Sequence, residues 1–85
     1  MAVIFTDDEF DAIRCHCEEQ LRDEVVRMHV AKRDMGAQIG LLVELPDGWR
    51  VAAVAVPNGD RDDLAGMGLV AEIRRQAALR RGAMH

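Results

Sequence analysis

Residues 45–49, Leu-Pro-Asp-Gly-Trp, separate two apolar runs and make residues 38–57 a β-hairpin. Proline presets the first turn position, the aspartate side chain accepts from the turn backbone, and glycine supplies the positive φ that closes the loop. In a three-residue loop Leu45 faces Trp49, Glu44 faces Arg50, Val43 faces Val51 and Leu42 faces Ala52. One face of the ribbon then runs Ile39, Leu41, Val43 and Leu45 into Trp49, Val51, Ala53 and Ala55. The other carries Gly40, Leu42, Ala52, Val54 and Val56, and is polar only at the Glu44–Arg50 pair. A hairpin with one wet face alternates more cleanly, so both faces are expected to be covered.

The chain on either side reads as helix. Thr6-Asp7-Asp8-Glu9 has the form of a capping box, with Phe5 and Phe10 placed as a hydrophobic staple. Acids gather at the start of this segment, Lys32 and Arg33 at its end, and Gly36 is a natural left-handed stop, so one helix is expected over residues 7–35. Its core stripe is Phe10, Ile13, Cys17, Leu21, Met28, Ala31 and Met35, with Glu24 inside the stripe and in need of a partner. Val26 and Val30 form a second patch on the far side and, with Trp49, are candidate self-association residues. After the break at Pro57-Asn58-Gly59, a second helix starts at Asp60 or, if Gly66 and Gly68 exclude helix, near Leu69, and ends before Gly82. Its apolar residues fall in two stripes, which implies cover on two sides.

The order is (β)αββα, a single α+β domain over residues 1–85 in which a central hairpin is packed by a long N-terminal and a C-terminal helix. A two-stranded ribbon is only marginally stable. Residues 2–5 are therefore a candidate third edge strand, and a thin core in a chain of 85 residues favours a homodimer.

Charge narrows the function classes. The net charge is −4, but residues 1–24 carry −6 and residues 25–35 carry +2. Asp8, Asp11, Glu18, Glu19 and Asp23 recur along the solvent side of the first helix as a candidate partner-binding face for a basic, nucleic-acid-type site on another protein. Arg74, Arg75, Arg80 and Arg81 are the alternative basic contact, for a regulator that binds nucleic acid through the last helix. They spread around that helix, and the overall acidity disfavours direct nucleic-acid binding.

Catalysis finds little to work with. Serine and tyrosine are absent, threonine occurs once, and the cysteines are Cys15 and Cys17. Two residues apart on a helix, those thiols point in different directions and can neither pair nor share a metal. Gly66-Met67-Gly68 lacks the strand and the lysine of a phosphate-cradling loop. No enzyme, metal or cofactor is expected. No apolar run reaches the length of a membrane span, no signal peptide is evident, and unpaired thiols fit a reducing compartment, so a cytoplasmic location is expected. The reading is a small regulatory or inhibitory protein–protein interaction module.

Overall fold

A computed structural model describes residues 4–57 and 63–83. Its elements are α1 (Asp7–Leu21), β1 (Arg27–Arg33), β2 (Gln38–Glu44), β3 (Arg50–Ala55) and α2 (Asp63–Ala83). The strands form an antiparallel sheet in the order β1-β2-β3. Both helices pack on one face of it, which makes this an α+β fold of order αβββα.

The hairpin has the expected register: Glu44 pairs with Arg50, Val43 with Val51, Leu42 with Ala52 and Leu41 with Ala53. In the turn the Leu45 N–H donates to the Trp49 carbonyl at 2.7 Å and the Trp49 N–H to Asp47 Oδ1 at 2.9 Å. Gly48 takes φ +89, the conformation its position demands. The start of α1 is equally local in origin. Glu9 N–H donates to Thr6 Oγ1 and Thr6 N–H to Glu9 Oε1, completing the capping box. Phe5 is buried, and its N–H donates to the Gly36 carbonyl at 2.8 Å.

The single helix expected over residues 7–35 is two elements. Helix α1 stops at Leu21, a turn carries the chain through Glu24, and residues 27–33 are the third strand. That strand replaces the one sought in residues 2–5: residues 2 and 3 lie outside the described residues, and Ile4 and Phe5 are not strand. Nothing local forbids helix here. The reason is cooperative: β2 needs a second neighbour, and residues 27–30 also alternate polar and apolar with a period of two. Met28 and Val30 face the helices and pack on the core. Arg27, His29 and Arg33 are exposed. Lys32 also turns to the helix side, where it pairs with Asp7 and lies 5.8 Å from the centre of the Phe10 ring. Gly36 does adopt positive φ (+100), but as part of the β1–β2 connection rather than a helix stop. Asp34 (φ 51) and Met35 (φ 56) share the left-handed region, strain of order 1 kcal/mol each. Met35, expected in the core stripe, is 97% exposed at this loop.

The core joins Phe5, Ile13, Cys17 and Leu21 with the inner sheet residues Ile39, Leu41, Val43 and Val51, and with Leu69, Val70 and Ile73 of α2. Helix α2 is helical from its first described residue, Asp63, so Gly66 and Gly68 lie inside it, and it runs through Gly82 to Ala83 rather than ending before Gly82; Asp60, the proposed cap, lies outside the described residues. One of its stripes is buried. The other, expected to be covered, is open at Met67, Ala71 and Ala78. At Gly66 the two helices approach closely, since a Cβ there would lie 3.1 Å from His16 Cδ2. Gly68 faces open space. Replacing Gly68 with alanine is therefore expected to stabilise the fold by about 1 kcal/mol. The same change at Gly66 gains less or nothing, because the His16 ring must move. Urea midpoints of the two variants check this, and equal gains would refute the close approach. Among the described residues no helix is long and apolar enough to cross a membrane.

Candidate functional site

With both helices on one face of the sheet, the other face is bare among the described residues. Strand register maps it row by row. Nearest the hairpin turn lie Arg27, Glu44 and Arg50, then His29, Leu42 and Ala52, then Ala31, Gly40 and Val54, and finally Arg33 beside Gln38. Along β2 and β3 the neighbours of these residues are buried, whereas Leu42 is 46% and Val54 53% exposed. Val56, just past β3, is 59% exposed. The expectation that both faces of the hairpin are covered therefore fails within the described residues of one chain. Glu44 and Arg50 form the anticipated cross-strand pair, loosely, at 3.6 Å.

Small residues shape this surface. Gly40 has no side chain, and the Arg33 stem lies across the space, with Cδ 3.1 Å from where a Cβ would be. A shallow depression of about 240 Å³ opens between Arg27, His29, Leu42, Glu44 and Arg50. Three arginines and a histidine thus surround an apolar strip, with one carboxylate among them. As helix, this segment would put His29 and Arg33 one turn apart on one side and Arg27 on the other, which hides the three as a group. The period-two pattern around Met28 and Val30 was the signal that could have found them.

The acidic face of the first helix is present but less uniform than expected. Asp8, Asp11, Glu18 and Glu19 are exposed on α1, and Asp23 is exposed in the turn after it. Arg14 sits among them and binds Glu18 at 3.0 Å and Asp11 at 3.5 Å. Two of the five acids are thus partly neutralised within the chain, and the open line along the helix is Asp8, Ala12, Cys15 and Glu19.

The arginines of α2 are largely engaged. Arg74 closes a bidentate contact with Glu24 (2.8 and 3.2 Å) and donates to the Gln20 carbonyl at 3.1 Å, supplying a cap that α1 lacks locally. This resolves the partner that Glu24 required, and it sets the two helices side by side in the same direction. Arg75 binds Glu72 at 2.7 Å. Arg80 stacks on Trp49, 4.1 Å from the ring centre, and its Nε lies 3.6 Å from Asp47 Oδ2. Trp49 is therefore covered on one side by the chain's own last helix. Arg81 is exposed at the rim of a cleft of about 430 Å³ between Leu21, Leu45, Ile73 and Ala77. Acids and bases in that cleft alternate in near balance, so it favours no ligand charge. Val26, Val30 and Trp49 do not form one patch, because Val30 packs toward the helices while Val26 is exposed at the start of β1.

These ion pairs have a pH signature. Hydrogen bonding by Arg74 holds the Glu24 carboxyl below its usual range, and Arg75 does the same to Glu72. A carboxyl lowered in the folded state contributes stability above its unfolded value, near 4.5 for glutamate, and that contribution is lost as pH falls through the folded value. The urea midpoint is expected to hold from neutral pH to about 5 and to fall below about 4.5. Glu24→Gln is expected to flatten part of that fall. A midpoint that rises on acidification would contradict the pairing.

Burial pushes the Cys17 thiol up to about 11, which makes it a poor nucleophile, and Cys15 is exposed. Among the described residues no group of three His, Cys, Asp or Glu side chains is placed to hold a metal ion. No family model, no curated protein and no solved structure matches the chain.

Proposed function

We propose that this protein is a small non-enzymatic interaction module of the regulatory or inhibitory kind, which engages another protein through the uncovered face of its sheet. One observation carries the reading: a three-stranded sheet buries one side against two helices and leaves Leu42 and Val54 in solvent on the other, with Val56 exposed just past β3. A contiguous exposed apolar strip rimmed by charged residues is the usual form of a docking surface. The acidic outer side of α1 faces away from the sheet and is a second surface, suited to a basic site on a partner. Arg74, Arg75 and Arg80 are spent on contacts within the chain, which argues against direct nucleic-acid binding through α2. Two unpaired thiols support a reducing, cytoplasmic setting. A homodimer through the bare face is the competing occupancy.

Affinity capture with the full chain, compared with Leu42→Asp/Val54→Asp, tests the reading. Both positions are exposed, so the variant is expected to fold and to lose its bound protein. Identical captures by both chains would overturn the assignment of the face. Loss on Asp8→Asn/Glu19→Gln alone would move the function to α1.

A further inference from the structure

The bare face is asymmetric in a way that specifies its occupant. Its basic residues Arg27, His29 and Arg33 run along β1, while β3 carries Val54, with Val56 just past it, and its one arginine, Arg50, is paired with Glu44 at the turn end. Leu42 stands between them on β2, flanked by the small residues Ala31, Gly40 and Ala52. From Arg27 to Arg33 is about 20 Å at ~3.3 Å per strand residue, and the outer strands lie about 10 Å apart at ~4.8 Å per strand spacing. An α-helix of about 13 residues is 20 Å long, and with its side chains about 10–12 Å wide. We infer that the uncovered sheet face receives an acidic amphipathic helix of a partner protein. Its apolar stripe lies on Leu42, Val54 and Val56, and its carboxylates lie along Arg27, His29 and Arg33. This inference rests on the bare face being the binding surface and adds the chemistry of what binds there.

Charge argues against the other occupants. A second copy presenting the same face would set three arginines and one glutamate against the same set, and like charges brought together cost affinity. The α1 of a second copy could present its acids but no apolar stripe to Leu42 and Val54, because Ile13, Cys17 and Leu21 of that helix are buried in its own core. Nucleic acid fits worse. The phenylalanines and the tryptophan of the chain, Phe5, Phe10 and Trp49, lie elsewhere, which leaves only the His29 imidazole as a ring on this face, a poor platform for successive bases. A net charge of −4 also repels a polyanion. For a protein helix the apolar strip supplies binding energy, while the β1 guanidiniums select acidic flanks and set direction.

The test pans a display library of helix-forming 14-residue peptides, randomised in sequence, on the immobilised full chain. Enriched peptides are expected to carry Leu, Ile or Val at i, i+3, i+4 and i+7, with Asp or Glu along one flank. As free peptides they should bind about tenfold or more weakly to Leu42→Asp/Val54→Asp and to Arg27→Glu/Arg33→Glu. They should bind unchanged to Ala78→Ser, on the open side of α2, and lose affinity as salt rises. The charge-reversal variant serves if the first fails to fold, as circular dichroism would show. Peptides that require Leu42 and Val54 but ignore Arg27 and Arg33 would remove the acidic helix and leave the binding module standing. Enrichment indifferent to all four residues, or no enrichment at all, would remove both. A dimer in sedimentation that Leu42→Asp/Val54→Asp dissolves, or duplex DNA that competes with the peptides, would overturn the inference in favour of that occupant.

Discussion

Replacing Leu41 with alanine is expected to cost about 2–5 kcal/mol, while the same change at its neighbour Leu42 stays within about 0.5 kcal/mol. Leu41 is 1% exposed on the central strand, paired with Val30 on one side and Ala53 on the other, and faces the helices. Truncation leaves a cavity bounded by two neighbouring strands and the helix layer, with little room to collapse. Leu42 is 46% exposed, so its removal forfeits little buried area. A domain of this length holds roughly 4–13 kcal/mol in all, so the first variant loses a large share of it. Urea titration of both chains reads the difference directly. Equal losses would mean that the outer face is covered in the free protein. A Leu42→Ala loss that grows with protein concentration would identify a second copy as the cover.

Phe5→Ala is expected to be as damaging, at about 3–5 kcal/mol, although it lies only two residues before the first helix. Its side chain is 1% exposed, and its N–H is fixed to the Gly36 carbonyl. The ring is part of the buried core, and the Phe5–Gly36 hydrogen bond ties the segment before α1 to the β1–β2 connection. Phe5→Leu keeps most of the buried volume and should cost less than about 1.5 kcal/mol. Thermal unfolding of the pair checks this. A Phe5→Ala variant that unfolds like the parent would show that the segment before α1 is not part of the core.

Local chemistry wrote part of this fold into the sequence. The turn at Pro46, Asp47 and Gly48, the register that follows from it, and the Thr6–Glu9 capping box each depend on residues within five positions of one another. Their geometry follows from φ preferences and short-range hydrogen bonds. The buried stripe of α1 from Phe10 to Leu21 follows from the helical period in the same way.

Where α1 ends was not legible. Residues 19–26 contain no glycine or proline, and several are strong helix formers, so local propensity carries the helix onward. The stop is supplied from afar, by Arg74 on the Gln20 carbonyl and by the bare edge of β2, which gains a full set of strand partners when residues 27–33 pair with it. The bare face of the sheet was hidden for the same reason. Arg27, His29 and Arg33 become one basic column only once their segment is a strand, and Leu42 and Val54 become an exposed strip only once both helices have taken the opposite side. Sequence by itself determined the hairpin and the capped start of α1, because those depend on near neighbours. Tertiary structure alone decided that the second half of the supposed long helix is β1, because a lone two-stranded ribbon is marginal and a third strand stabilises the sheet more than helical continuation would.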